Sequence, residues 1–151
     1  IMITISRYFI KTSFLFMIMG MLCGVWQYGH IAFNWRAPST LPMAHAHIIL
    51  IGGIINMIIG VACWFFPRTK KGYRFYNPKI MWRLYWLINI STFGRFCIEL
   101  LSGFMSNNIF LKIGFWFSII QIGTLGIIIA QLWERVVSKG SFIRESTGET
   151  F

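Results

Sequence analysis

Four long apolar runs, separated by short polar stretches, organise the chain. They extend from about Tyr8 to Tyr28, Met43 to Phe66, Ile80 to Phe104 and Phe110 to Trp133. Each is close to the roughly 20 apolar residues that a helix needs to cross a bilayer. Gly29 to Leu41, with Asn34, Pro38 and Ser39, is a loop; Thr40 is placed to cap the second run, with Pro42 in its first turn. Pro67 ends that run, and a turn holding Ser106, Asn107 and Asn108 joins the last two. The pattern predicts an all-α membrane protein: a four-transmembrane-helix bundle over residues 1–137, one domain, followed by a polar tail over 138–151.

Composition narrows the class further. Of 151 residues, 56% are apolar, 18% aromatic and only 12% charged, about half the charged fraction of a soluble domain. The aromatic content also excludes a disordered chain. Arg7 and Lys11 precede the first run like the start of a signal peptide, but Val25-Trp26-Gln27-Tyr28 offers no small-residue cleavage site, so a retained helix is expected. Gly20 and Gly24 form a G-x-x-x-G pattern suited to close helix contact.

The net charge of +10 comes from 14 Lys and Arg against four Glu and no Asp. In a soluble protein that balance points to nucleic acid; beside membrane spans it sets orientation instead. Arg68, Lys70, Lys71, Arg74 and Lys79 crowd the second connection, Arg7 and Lys11 the N-terminus, and Arg135, Lys139 and Arg144 the tail. The other connections hold only Arg36 and the nearby Lys112. Both termini are therefore expected on the cytoplasmic side of the inner (plasma) membrane. Trp26, Trp35, Trp64, Trp82 and Trp133 near the run ends form an interfacial belt. Cys23, Cys63 and Cys97 lie within apolar runs and make no C-x-x-C pair, which predicts buried free thiols.

Candidate chemistry is concentrated in a few polar positions. The three histidines are His30, His45 and His47. On a regular helix His45 and His47 point about 200° apart. Below His45 runs a small or polar stripe of Ile49, Gly52, Asn56, Gly60 and Cys63; below His47 runs an apolar stripe of Ile51, Ile54, Ile58, Val61 and Phe65. Small and polar residues of membrane helices face the bundle. His45 is thus expected inside, above glycines that leave room for a flat cofactor, and His47 at the lipid interface or against another subunit. Anchoring at the headgroup level is the alternative for both. Met43 is a candidate soft ligand.

The third run carries Arg83, Asn89, Arg95 and Glu99. Arg95 and Glu99 are four apart and share a face, roughly 13 Å and 7 Å from the outer end at 1.5 Å per residue. An arginine that deep needs a partner: Glu99, a cofactor carboxylate or a quinone headgroup. Gln121 in the fourth run lies at similar depth and can join the cluster.

The segment Ala44-His45-Ala46-His47-Ile48-Ile49-Leu50-Ile51-Gly52-Gly53, with Met57 to Val61 and Phe66-Pro67-Arg68, resembles the histidine-bearing second helix of haem–copper oxidase subunit I, as in cytochrome oxidases and nitric-oxide reductases, and short four-helix proteins related to it. The first run, with Arg7, Lys11, Gly20 and Gly24, looks like the matching first helix, so the resemblance covers about residues 6–103. It implies that His45 or His47 is an axial ligand of a low-spin haem b, the stripes favouring His45, with Arg95 neutralising a propionate. Cys63-Trp64 stands where related short proteins often have Tyr-His. With three histidines the chain is not expected to build a haem–copper centre alone.

The leading expectation is a haem b-binding electron-transfer subunit of a larger respiratory oxidoreductase. His45 is one axial ligand; His30, His47, Met43 or a partner residue supplies the second. Exchange is with a quinol or a periplasmic carrier, and the partners are the lipid bilayer and other subunits, not nucleic acid. The cofactor-binding candidates are His45, His47, Arg95, Glu99, Gly52, Asn56 and Gln121. A cofactor-free anchoring subunit and a copper site made by His30, His45 and His47 are the alternatives.

Overall fold

The computed structural model describes residues 2–66, 78–105 and 108–133. Among them there is no strand. Four rods account for nearly all of the described residues: α1 (Met2–Phe33), α2 (Leu41–Phe65), α3 (Pro78–Phe104) and α4 (Asn108–Trp133). The basic connection after Pro67, residues Ser106 and Asn107, and the tail beyond Trp133 lie outside the described residues.

Local chemistry sets the ends. α1 runs several residues past the apolar stretch at both ends. It stops where Asn34 adopts a left-handed φ of 56°, a conformation that asparagine tolerates better than most residues. Thr40 precedes α2, and Pro42 lies in its first turn. The expected side-chain cap is absent, because the Thr40 hydroxyl donates to the Glu99 backbone carbonyl of α3 instead. α2 ends as Phe66 turns extended (ψ 138°), the conformation favoured before a proline.

The middle of α2 departs from the α pattern. Ile48–Ile55 is a π-helical stretch, and the Asn56 N–H reaches back to the Ile51 carbonyl. Six of these eight residues are Ile or Leu, and two adjacent glycines interrupt them. Isoleucine crowds an α-turn, and glycine lets the backbone leave it. In a continuous α-helix at 100° per residue, positions 47 and 56 fall about half a turn apart. The wider π turns bring both round to α3.

Each helix runs antiparallel to the next. Gly60 of α2 meets Phe9 and Ile10 of α1, Gly52 meets Phe16, Gly20 meets Ile48 and Ile49, and Gly24 meets His45. The G-x-x-x-G pair of α1 thus seats the upper half of α2. α3 packs on α2, and α4 packs mainly on α3.

Two apolar clusters hold the rods together. One joins all four helices through Phe9, Ile59, Met81, Tyr85, Ile88 and Ile128. The other, at the opposite end, joins Phe16, Cys23, Leu41, Ala44, Ile48 and Phe96, and no buried residue of α4 belongs to it. α4 is therefore held tightly at its C-terminal half and only loosely at its N-terminal half.

The surface is apolar and much of the interior polar. Leu22, Val25, Ile58, Trp64, Ile122 and Trp133 are exposed, while Ser6, Ser13, Asn56, Asn89, Gln121 and Thr124 are buried. α1 over Thr4–Phe33, α2 and α4 are long and apolar enough to cross a membrane. α3 is as long, but Lys79, Arg83, Arg95 and Glu99 interrupt it. Cys23 and Cys63 are buried and Cys97 is half-buried, and none of the three is in a disulfide.

Candidate functional site

The upper half of the bundle contains one connected polar network. Arg95 of α3 is its hub. Its Nε donates to Glu99 Oε1 at 2.8 Å, one NH group donates to Gln121 Oε1 at 2.9 Å, and the other lies 2.9 Å from His47 Nε2. His47 Nδ1 is 2.8 Å from Glu99 Oε1. A guanidinium can only donate, so His47 Nε2 accepts and its proton sits on Nδ1, directed at Glu99. Gln121 Nε2 donates onward to the Thr92 hydroxyl at 3.1 Å, and Thr92 donates to the Ile88 carbonyl.

This placement overturns the sequence expectation for His47. The ring points into the bundle, bonded to α3, and does not lie at the lipid interface. The apolar stripe drawn beneath it does face outward, since Ile54, Ile58, Val61 and Phe65 are exposed. The π-helical stretch separates the histidine from that stripe. It also splits the other one: His45, Gly52 and Gly60 face α1, whereas Asn56 turns to α3 and donates to Asn89 Oδ1 at 2.7 Å.

His45 occupies a separate position. Its Nδ1 lies 2.8 Å from the Gly20 carbonyl of α1, so that nitrogen carries the proton and Nε2 is left as the free lone pair. The ring lies against Gly24, where an added Cβ would come 3.2 Å from Cε1. Gly52, expected to open space beneath His45, is instead filled by Phe16. His30 is exposed, with Nδ1 at 2.5 Å from the Trp35 carbonyl.

His47, Arg95, Glu99 and Gln121 are thus brought together, while His45, Gly52, Asn56 and His30 are not part of that network. Among the described residues no three His, Cys or acidic side chains are grouped as a metal centre. Thr92 and the Gly20 carbonyl went unnoticed in the sequence. A threonine in a membrane helix commonly bonds its own backbone, and a carbonyl partner leaves no trace in residue identity.

Beside the network, between α3 and the N-terminal half of α4, lies a cavity of about 150 Å³. Arg95, Glu99, Ser102 and Ser118 give it polar atoms, and Ile98, Phe110 and Phe115 are among its apolar walls. Met43, the candidate soft ligand, also lines it. Glu99 is buried, and among the described residues its Oε2 has no hydrogen-bond partner.

Comparison with protein-family models, curated proteins and solved structures returns no match.

Proposed function

We propose that this chain is a haem b-binding electron-transfer subunit of a larger oxidoreductase of the inner (plasma) membrane, with His45 as an axial ligand. The observation that carries the reading is the hydrogen bond from His45 Nδ1 to the Gly20 carbonyl. A metal-ligating histidine almost always donates its second ring N–H to a carbonyl, carboxylate or water, which fixes the tautomer and the ring. His45 has that arrangement, with Nε2 left over. His47 does not, because both its nitrogens are engaged by Glu99 and Arg95.

The residues that would hold a haem are one oriented imidazole, His45, backed by Gly24 on a half-buried helix face. A second ligand to the group would come from a partner subunit. A bound haem b supplies reversible one-electron chemistry at its iron. The chain's own residues hold the imidazole in register. Gly20 and Gly24 allow α1 to approach it, and the Arg95–Glu99–His47 network pins α2 to α3 just beyond it.

In the same reading α3 is the fourth span, and both termini face the cytoplasm. The lysines and arginines of the second connection and the tail support this orientation.

The test is the reduced-minus-oxidised spectrum of the full chain purified in mild detergent with haem added. A Soret band with sharp α and β bands is expected, lost in His45→Ala. A folded protein with a silent spectrum would reject the reading. It would favour a cofactor-free anchoring subunit, to which the internal pairing of Arg95 also conforms.

A further inference from the structure

The end of the bundle opposite the Arg95 network carries positive charge that the haem reading does not use. α1 and α3 run parallel and meet there through aromatic rings. Tyr8 stands edge-on to Trp82, with ring centres 5.2 Å apart. Phe9 meets Tyr85 at 5.0 Å, and the Thr12 hydroxyl lies 2.6 Å from that of Tyr85. Trp86 continues the seam, edge-on to both Trp82 and Tyr85. Tyr8 and Trp86 are about half exposed, so the seam presents aromatic surface to the surroundings of the bundle.

A cation flanks the seam on each helix. Lys11 follows Tyr8 by three residues and Arg83 precedes Trp86 by three, a spacing that makes each a surface neighbour of its aromatic residue. The Tyr8–Trp82 contact fixes the register of the two helices. Counted from it, Lys11 lies three residues further along α1 and Arg83 one residue further along α3, so their depths differ by about 3 Å. Both are exposed, and neither makes a hydrogen bond or an ion pair among the described residues. Arg7, one turn before Lys11, is exposed and unpaired in the same sense. Among the described residues the only carboxylate is Glu99, engaged with Arg95 and His47 at the other end.

Two like charges at one depth beside lipid-facing rings repel each other, and the edge of a bilayer screens them poorly. An anion between them relieves both. Basic pockets between membrane helices take anionic headgroups for this reason. The rings decide what carries the anion. Tyr and Trp lie at the level of the headgroups, so the anion must be joined to an apolar body. Lys and Arg lay their methylene stems along such surface and keep the charged end at the headgroups, which lets both reach over the seam.

We propose that the α1–α3 seam binds one anionic phospholipid. Its phosphate sits between Lys11 and Arg83, with Arg7 adding charge from one turn further out. Its glycerol and first acyl carbons lie over Tyr8, Trp82 and Trp86. The site requires that the bundle lie in a bilayer, and it is independent of haem and of which way up the bundle sits.

The experiment mixes the full chain in neutral mild detergent, without haem, with phosphatidylglycerol or phosphatidylcholine of identical acyl chains. Native mass spectrometry counts the lipids retained. One phosphatidylglycerol is expected to be held at a concentration at least about fivefold lower than phosphatidylcholine requires, since each cation near a headgroup contributes on the order of that factor. Lys11→Gln with Arg83→Gln should close the gap. Lys70→Gln with Lys71→Gln removes the same charge from the connection before α3 and should leave the gap open. Lys11→Arg with Arg83→Lys keeps both charges and should also keep it, which separates loss of the cations from loss of the fold. Equal retention of the two lipids by the parent overturns the proposal whatever the variants do. An equal fall in the Lys11/Arg83 and Lys70/Lys71 variants also overturns it, because the preference would then follow net charge alone. Neither result bears on the spectrum of His45→Ala.

Discussion

His45 and His47, two residues apart on one helix, bond to opposite neighbours: His45 to the Gly20 carbonyl of α1 and His47 to Glu99 of α3. The separation makes one a candidate ligand and the other a structural tie, and the two are separable by mutation. His45→Ala should remove haem absorbance and leave the thermal midpoint within a few degrees of the parent. His47→Ala should retain the absorbance and lower the midpoint, since it leaves Glu99 and Arg95 each short of a partner. Loss of the Soret band in His47→Ala alone would reverse the assignment.

Glu99→Leu leaves the part-buried Arg95 and the His47 N–H without their shared acceptor. Breaking one side of a buried ion pair costs about 3–5 kcal/mol. Arg95→Met combined with Glu99→Leu should recover only part of this, because Gln121 and His47 lose the guanidinium as well. Denaturation of the two variants in mild detergent gives the comparison. Full recovery in the double variant would mean that His47 and Gln121 are not coupled to the pair.

Asn56 is completely buried, and its amide N–H donates to Asn89 across the α2–α3 contact. Asn89→Leu should destabilise the bundle by about 1–2 kcal/mol, the upper range for hydrogen bonds between membrane helices. Pairing it with Asn56→Leu should restore stability, since Asn56 Oδ1 has no partner among the described residues even in the parent. A coupling energy of zero in that double-mutant cycle would place the two amides apart.

Gly20 and Gly24 face Ile48, Ile49 and His45 at close range. Gly20→Val should force α1 from α2, with an overpacking cost of about 1–3 kcal/mol, and disturb the His45 ring with it. The expected signature is a lowered thermal midpoint together with a weakened haem spectrum. Gly123→Val, at a position with nothing within 4 Å, is the control and should change neither.

For topology, a cysteine replacing Asn108 in a cysteine-free background should react with an impermeant reagent added outside intact cells. One replacing Lys70 should react only after lysis. The inverse pattern would turn the bundle over.

The helices were legible because long apolar runs leave few alternatives. The Arg95–Glu99 pair was legible because an i, i+4 spacing brings two side chains together in any α-helix. The face of His47 was not. A stripe read at 3.6 residues per turn holds only while the pitch holds, and the run Ile48-Ile49-Leu50-Ile51-Gly52-Gly53-Ile54-Ile55 abandons it. Isoleucine crowding around paired glycines was the available signal. Gln121 was legible from its depth. The cavity was not, because it depends on how far α4 stands from α3 and no single residue encodes that.

The partners of Arg95 are divided in time as well as in space. His47 is synthesised before α3 and Gln121 after it, so a growing chain can settle α3 against α2 while Gln121 is still to come. α4 then arrives last, onto a three-helix unit that already has its own upper apolar cluster. Because α4 packs mainly on α3, heat or detergent should part the α3–α4 hairpin from the α1–α2 hairpin before either hairpin opens.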